Sequence, residues 1–422
     1  MFTNDSFPAA TAALRIKAAR PASVRLAGVA PAEIDNILRD LAAKVRVSAP
    51  ALLEANAADL ARMDRDNPKY DRLQLTDERI ADIADGLERV AALPSPLDIE
   101  IESVTRPNGM TIRKVSVPFG VIGVIYEARP NVTFDVFGLC FKAGSACVLK
   151  GGHEAADTNR AAIAVIRRVL EDHNVCPDCA ILLDGGREET AEMLHARGDI
   201  DLIIPRGGRK LIDYVRDNSL VPVIETGAGV CHTYFHSSGD IATCRDIIYN
   251  AKTRRVSVCN ALDCLIVDRD RLSALPAVCY HLADRNVEIH ADAEAYHALE
   301  GAYPYLKEAT DDDFGREWLD YKMTIKTVAD INEALDYIAA NGSHHSECII
   351  AENREAIDLF MRAVDAACVY ANVSTAFTDG GQFGFGAEIG ISTQKLHARG
   401  PMALRQITTY KYLITGSGQT RK

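Results

Sequence analysis

The residues best suited to covalent chemistry lie at positions 253–261. This stretch places Cys259 after the paired arginines Arg254 and Arg255 and just before an apolar run. A thiolate is a strong nucleophile, and cationic neighbours lower the pKa of a thiol toward neutrality. Alternatively, Cys259 is one of 11 cysteines that pack as small hydrophobic side chains. The stretch therefore predicts a nucleophile, provided that other residues suited to the same chemistry occur elsewhere in the chain.

A second candidate site is the turn at Gly207 and Gly208, which follows a short apolar run and is flanked by Arg206, Arg209 and Lys210. Backbone N–H groups at a helix N-terminus bind phosphate, and basic side chains strengthen that attraction. The same spacing also fits a tight surface turn with solvated charges. No predicted strand is followed by GxGxxG, and the P-loop pattern is absent. A phosphate site here would therefore have an uncommon form.

Two groups have the residue types of a metal site. Cys176 and Cys179 form a CxxC without a second pair, so zinc or redox use stays open but is not favoured. His344 and His345 are adjacent, and adjacent side chains point in different directions, so polar contacts within a loop are favoured over metal binding. We expect no metal.

The elements that position these residues change character along the chain. Up to about residue 93, apolar residues recur at three- and four-residue spacing, which predicts helices. Residues 99–117 alternate around the turn Pro107-Asn108-Gly109 and predict a β-hairpin. A two-stranded ribbon is marginal by itself, so it should pair with another subunit or with a terminal strand at 408–414. The predicted helices are 9–19, 31–47, 49–63 and 77–93.

From residue 121 onward, short apolar runs alternate with helical patterns, which is typical of doubly wound α/β domains. The first series has strands 121–126, 146–149, 180–183, 202–204 and 221–224, with helices 154–172, 188–197 and 207–217. The second has strands 263–267, 323–328, 347–350 and 367–371, with helices 239–251, 270–285, 330–340 and 353–366. Residues 377–390 are rich in glycine and predict a loop near a ligand or a simple surface loop.

Composition limits the class of protein. A chain of 422 residues with 48% hydrophobic content can bury two or three cores. A net charge of -12 argues against nucleic acid or an anionic membrane as the partner, which leaves a small molecule. No apolar run approaches the roughly 20 residues of a membrane span, and the first residues lack the apolar block of a secretory signal. We expect a cytoplasmic protein with reduced thiols.

Taken in order, the candidate residues resemble the aldehyde dehydrogenase superfamily over about the whole chain. More narrowly, four long motifs resemble the gamma-glutamyl phosphate reductase family, also called glutamate-5-semialdehyde dehydrogenases. The superfamily order is Asn131, Lys150, Gly207-Gly208, Glu225-Thr226-Gly227, Cys259 and Glu388-Ile389-Gly390; the narrower motifs are YEARPN (126–131), RVSVCNA (255–261), SHHS (343–346) and HARGPMAL (397–404).

The resemblance implies an aldehyde dehydrogenase-like α/β fold, with two doubly wound domains and a β-hairpin oligomerisation element. Residues 1–98 and 119–228 would form the cofactor-binding domain, 229–400 the catalytic domain, and 99–118 with 401–422 the oligomerisation hairpin and terminal strand. It also implies a homo-oligomer, dimer or tetramer, and an upstream glutamate 5-kinase as a candidate partner.

The reaction implied by the resemblance is the NADPH-dependent reduction of L-glutamyl 5-phosphate to L-glutamate 5-semialdehyde, the second step of proline biosynthesis from glutamate. The thiolate of Cys259 would form a thioester, and the Asn131 amide with the Cys259 backbone N–H would hold the oxyanion. Judged by residue type alone, Asn131 after proline fits a turn. Glu225 matches a general base, but in the reductive direction it could instead deprotonate Cys259 or cap a loop.

The resemblance places Lys150 at the adenosine ribose and Glu388 at the nicotinamide ribose, although both also fit ordinary surface charges. Residues 151–153 carry no acidic side chain to repel a 2′-phosphate, which favours NADPH. Arg129 and Arg255 are candidates for holding the substrate's carboxylate and phosphate, or for a structural ion pair. The alternatives are an acylating dehydrogenase for another acyl phosphate or thioester, and an enzymatically silent structural or binding member of the fold.

Overall fold

The computed structural model describes residues 11–65, 67, 70–127 and 129–421. The start of the helix predicted at 9–19 and Ala128 of the 126–131 motif lie outside the described residues. The chain separates into two compact units. Unit 1 comprises the residues up to Thr226 together with Phe385–Gly390 and Met402 onward, and unit 2 comprises Gly227–Gly384 and Ile391–Pro401.

Unit 1 begins with helices, as predicted. The helix predicted to end at residue 19 continues past Pro21 to Leu26, because Ala22 and Leu26 are buried on the same face as Ala19. The hairpin predicted next is present. These elements are α1 (Ala12–Leu26), α2 (Pro31–Val47), α3 (Ala49–Leu60), α4 (Tyr70–Leu73), α5 (Asp77–Ala92), β1 (Glu100–Thr105) and β2 (Thr111–Pro118).

A four-stranded parallel sheet follows, with strand order β5-β4-β3-β6. Its elements are β3 (Val121–Tyr126), α6 (Val132–Lys142), β4 (Ala146–Gly151), α7 (Ala156–Asp172), β5 (Ala180–Leu182), α8 (Arg187–His195), β6 (Leu202–Arg206) and α9 (Arg209–Asn218). Helix α6 was not predicted, because nearly all of its residues are buried and it lacks an apolar stripe. The predicted strand 221–224 is wrong: it contributes only an isolated bridge between Ile203 and Val223.

Unit 2 contains a seven-stranded parallel sheet of order β10-β9-β11-β8-β7-β12-β13. Its elements are β7 (Cys231–Phe235), α10 (Ile241–Thr253), β8 (Leu262–Asp268), α11 (Leu275–Cys279), β9 (Glu288–Ala291), α12 (Ala293–Leu299), β10 (Leu306–Glu308), β11 (Lys322–Val328), α13 (Ile331–Asn341), β12 (Ser346–Ile350), α14 (Arg354–Ala363) and β13 (Cys368–Ala371). The helix predicted at 270–285 is instead two 3₁₀ segments around α11. Strands β9 and β10 were missed because they are short and carry charged residues.

Three further strands complete the fold: β14 (Gly390–Ser392), β15 (Gly400–Met402) and β16 (Thr408–Thr415). Strands β14 and β15 pair with each other. Strand β16 pairs antiparallel with β2, from Thr408 opposite Pro118 to Thr415 opposite Thr111. The hairpin therefore gains its third strand from the terminal segment, which was one of the two partners expected for it. No helix among the described residues is long and apolar enough to cross a bilayer.

Candidate active site

Cys259 lies in unit 2, half-buried in the turn between α10 and β8. The two ends of this loop are held together by Lys252, whose buried ammonium donates to the carbonyl of Leu262 at 2.8 Å and lies 3.8 Å from Asp263 Oδ1. Asp263 Oδ1 also accepts from the backbone N–H of Trp318 at 3.0 Å. Burial lowers the pKa of Lys252, and the charge of Asp263 opposes that shift. Cys259 thus sits on a loop closed by buried polar contacts.

The backbone of Cys259 is packed against Gly229. A Cβ at position 229 would lie 1.7 Å from the Cys259 carbonyl oxygen, so only glycine fits there. Gly229 donates its N–H to Glu317 Oε1 at 3.0 Å, and the Cys231 thiol donates to the Cys259 carbonyl at 3.2 Å. Gly229, two residues after the predicted Glu225-Thr226-Gly227 motif, therefore supports the backbone of Cys259, a role that the sequence did not indicate.

The Cys259 thiol is in contact with His345, whose Nε2 lies 3.1 Å from Sγ. His345 is fully buried, and burial lowers its pKa to about 4, so the ring is neutral at pH 7. The polar loop contact expected for His345 is thus a contact with the Cys259 thiol, whereas the exposed His344 binds the backbone carbonyl of Asp365. Sequence reasoning missed this role. The available signal was that Cys259 and His345 both precede strands of one parallel sheet, which places them at the same edge.

The two arginines beside the nucleophile are exposed. Arg254 lines a cavity of about 510 Å³ together with Asp246, Asn250 and Phe377. Arg255 lies one residue further along the loop. Among the described residues, no group of three or more His, Cys, Asp or Glu side chains could hold a metal ion.

Asn131 and Arg129 lie in unit 1. Asn131 precedes α6, and its amide donates to Asp135 Oδ2 at 2.8 Å. Burial raises the pKa of Asp135 to about 6, while the hydrogen bond from Asn131 opposes the shift. This bond uses one N–H of the amide and fixes the direction of the other. Arg129, two residues earlier, is exposed.

The predicted cofactor residues lie at the carboxyl edge of the four-stranded sheet in unit 1. Lys150 is the second-last residue of β4, opposite Ile125 of β3, and its buried ammonium donates to the carbonyl of Gly151 at 3.2 Å. Gly207 and Gly208 follow β6 and precede α9, where both are exposed. Ligands of open parallel sheets bind outside the carboxyl ends of the strands. This edge therefore has the arrangement that a dinucleotide needs.

The segment that carries Glu388 contacts the last residue of β6. A Cβ on Gly390, two residues after Glu388, would lie 2.3 Å from Arg206 Nη1, so this segment packs against the Arg206 side chain. The structure thus places Lys150, Gly207, Gly208 and the Glu388 segment on one edge of one sheet.

The surroundings of Lys150 contain carboxylates that its sequence neighbours do not reveal. Burial lowers the pKa of Lys150, whereas Glu189 and Asp184 act in the opposite direction. Both carboxylates are paired with arginine: Arg15 contacts Asp184 at 3.3 Å and also Glu189, and Arg160 lies 3.6 Å from Asp184. Their charges are therefore partly neutralised.

Glu225, the predicted general base, lies near the end of unit 1. Its carboxylate is 3.5 Å from Arg216 Nη1, and its side chain is partly exposed. The next residue, Thr226, donates its hydroxyl to the Pro205 carbonyl at 2.6 Å. Glu225 is thus held beside the end of β6 by its neighbour.

Comparison with known proteins shows extensive similarity over the whole chain. No family model matches it. The chain is 58% identical to a gamma-glutamyl phosphate reductase of Bacteroides thetaiotaomicron over 406 residues, which cover 96% of this chain and 97% of the relative. It is 59% identical to a gamma-glutamyl phosphate reductase of Parabacteroides distasonis over 408 residues, covering 96% and 98%.

Solved structures agree with this similarity. The crystal structure of gamma-glutamyl phosphate reductase from Thermotoga maritima superimposes with a TM-score of 0.94 at 37% identity, covering 98% of this chain and 100% of that one. An acetylating aldehyde dehydrogenase from Geobacillus thermoglucosidasius gives a TM-score of 0.68 at 17% identity, covering 97% of each chain. The second likeness concerns the fold alone, and it confirms the predicted fold class.

Proposed function

The chain belongs to the gamma-glutamyl phosphate reductase family, and we propose that it reduces L-glutamyl 5-phosphate to L-glutamate 5-semialdehyde and phosphate through a thioester on Cys259. It is an enzyme, an oxidoreductase of proline biosynthesis with a small-molecule substrate. The observation that carries the proposed chemistry is the half-buried Cys259 thiol with a neutral imidazole nitrogen 3.1 Å away. The predicted family is confirmed by the identity over nearly the whole chain.

In the first step, the Cys259 thiolate attacks the acyl carbon of the substrate. A C–S bond forms, the bond from that carbon to the bridging oxygen breaks, and phosphate leaves. Acyl phosphates are reactive toward thiolates, so the protein's task is to supply the thiolate and to hold the reacting groups. The closed loop and the glycine packing at Cys259 fix the backbone of the nucleophile.

The oxyanion formed in that attack needs hydrogen-bond donors. We assign this role to the Asn131 side-chain amide and the Cys259 backbone N–H, and the bond from Asn131 to Asp135 supports the first assignment because it fixes the amide. Removal of one such donor typically lowers kcat by about a hundredfold or more. Glu225 remains a candidate for moving a proton, and its pairing with Arg216 keeps it oriented.

A nicotinamide cofactor supplies the hydride that converts the thioester to the aldehyde. The carboxyl edge of the unit 1 sheet fits such a cofactor, since Lys150 and the N-terminus of α9 present donors there. Lys150 would hold the adenosine ribose, Gly207 and Gly208 the pyrophosphate, and Glu388 the nicotinamide ribose. We propose NADPH as the preferred form, because Arg15 and Arg160 offset the carboxylates near Lys150.

The finer parts of the proposal concern substrate charge and assembly. The exposed Arg129 and Arg255 would hold the carboxylate and phosphate of the substrate. The sheet β1-β2-β16 would join subunits into a dimer or tetramer, since it exposes several large apolar side chains: Ile101, Val104, Tyr410, Tyr412 and Ile414. A cytoplasmic location and association with an upstream glutamate 5-kinase complete the proposal.

The reaction is tested in reverse, by following the absorbance of reduced nicotinamide with L-glutamate 5-semialdehyde, phosphate and NADP⁺. We expect phosphate-dependent reduction of NADP⁺, which Cys259→Ala abolishes while Cys264→Ala, a change at a buried cysteine, preserves it. If the protein acts only on other aldehydes, or uses coenzyme A in place of phosphate, the result would favour an acylating dehydrogenase that has a different substrate. Activity retained by Cys259→Ala would refute the thioester.

A further inference from the structure

The contact between Cys259 and His345 is the first link of a buried hydrogen-bonded series in unit 2. His345 Nδ1 lies 2.8 Å from Ser346 Oγ, which lies 2.6 Å from Thr378 Oγ1. Thr378 Oγ1 in turn lies 2.8 Å from the hydroxyl of Tyr370. His345, Ser346 and Thr378 are fully buried, and Tyr370 is half-buried. We call these residues the 345–378 network.

The donor and acceptor roles in this network follow from its chemistry. A neutral imidazole has one N–H donor and one bare nitrogen. If Nδ1–H donates to Ser346 Oγ, then Nε2 is bare and accepts from the Cys259 thiol. The Ser346 hydroxyl then donates to Thr378, and the Thr378 hydroxyl donates to Tyr370. The Cys231 thiol, 3.7 Å from Nδ1, does not compete strongly, because it donates to the Cys259 carbonyl at 3.2 Å.

We propose that His345 is the catalytic base that removes the proton from the Cys259 thiol, and that Ser346 and Thr378 are positioning residues that keep His345 Nε2 bare. The proposal rests on the proposed function for the fate of the proton. The S–H bond breaks, Nε2 gains the proton, and the thiolate forms the C–S bond as the C–O bond breaks. The imidazolium then returns the proton to the departing phosphate, so no net proton is taken up in this step.

Other groups in the described structure are less suited to this task. Arg254 and Arg255 are exposed and permanently charged, so they can favour a thiolate but cannot accept its proton. Cys231 is a buried thiol, and burial raises its pKa well above the usual value. His344, the adjacent histidine, contacts the backbone of Asp365 instead of the thiol. His345, in contrast to these groups, presents a proton acceptor to Sγ.

The low basicity of His345 agrees with a transient role. Because burial disfavours the imidazolium, the His345 ring beside the thiol is neutral in the resting state. The proton then moves only when the thiolate is consumed by attack on an electrophile, and the ring gives it up readily to the leaving phosphate. A thiolate–imidazolium ion pair as the resting state is not required.

The test measures the reactivity of Cys259 without substrate or cofactor. The purified chain is treated with limiting iodoacetamide at pH 7, and modification of the Cys259 peptide is followed by mass spectrometry. General-base assistance is typically worth about a hundredfold or more, so we expect His345→Gln to slow alkylation by roughly that factor. Ser346→Ala should slow it about tenfold, while Ser346→Thr, which keeps the hydroxyl, restores the rate.

His344→Asn serves as the matched control. His344 has a left-handed backbone with φ 61°, which asparagine tolerates. The variant should therefore leave the alkylation rate unchanged. A folded His345→Gln variant that is alkylated at the wild-type rate would overturn the proposal. The same holds if that variant has lost turnover, and in that case the reductase function would still stand. If His345→Gln does not fold, Ser346→Ala decides, since a wild-type rate in that variant equally overturns it.

Discussion

At the scale of single residues, the chemistry depends on side chains whose surroundings change their ordinary properties. Lys150 is the clearest case in unit 1, because it is a lysine with about a tenth of its surface exposed at the carboxyl edge of a parallel sheet. Burial lowers its pKa, so an anion beside it would be bound strongly. A 2′-phosphate is the anion that the proposed cofactor brings.

We therefore predict that Lys150→Ala raises the KM for NADPH by about tenfold or more and the KM for NADH much less, because a charged hydrogen bond contributes about 1.5 to 3 kcal/mol. Steady-state kinetics with both cofactors provide the measurement. Lys307→Ala, at an exposed ion pair in unit 2, is the control. An equal effect on both cofactors would show that Lys150 does not bind the 2′-phosphate.

Sequence reasoning reached some of these residues and not others, for a physical reason. Cys259, Asn131 and Lys150 stand within local patterns that a single stretch of chain reveals. His345 is in contact with a thiol 86 positions away, and Asp184 and Glu189 act on Lys150 from another stretch of the chain. Such contacts are set by the order of strands in a sheet, which local spacing does not specify.

At the scale of elements, most helices and strands could be predicted, because their apolar residues follow the period of the structure. Helix α6 could not, since a helix buried on every side has no polar face to reveal its period. The predicted strand at 221–224 has apolar residues of the right kind but forms only one bridge. In this chain, runs of apolar residues predicted which segments are buried more reliably than they predicted which segments form strands of a sheet.

The junction of α10 and β8 depends on one buried lysine. We predict that Lys252→Met lowers the free energy of unfolding by about 3 kcal/mol, because it leaves Asp263 and the Leu262 carbonyl without a buried cation. The melting temperature should fall, and Cys259 alkylation should lose its selectivity as the loop loosens. The double variant Lys252→Met with Asp263→Asn should recover part of the stability. A single variant as stable as the wild type would contradict this account of the loop.

At the scale of the whole molecule, the chain passes between the two units at several points, near residues 226, 384, 390 and 401. Unit 1 is thus assembled from distant parts of the sequence, whereas unit 2 is nearly continuous. Lys150 and Glu388, the two residues proposed to hold the cofactor riboses, belong to unit 1 although 238 positions separate them, counted as 388 minus 150. The sequence pattern predicted two α/β domains but could not show that the segment 385–390 belongs to the first.

Strand β16 closes the hairpin sheet, and its removal should expose the edge of β2. We predict that deletion of residues 408–422 produces aggregates, because unpaired backbone groups along β2 can pair with another chain. Deletion of residues 416–422, which keeps β16, should leave the protein dispersed. Size-exclusion chromatography of both variants gives the measurement, and a fully dispersed 408–422 deletion would disprove the prediction.

The same pairing has a consequence during synthesis on the ribosome. Strand β2 ends at Pro118, and the strand that covers it begins only at Thr408. Over most of the interval in which the residues between them are translated, β2 has left the exit tunnel while the strand that covers it has not yet been made. Neighbouring ribosomes on one messenger RNA carry identical open edges, so crowded translation favours mispairing between nascent chains. Slower initiation should therefore increase the yield of native protein.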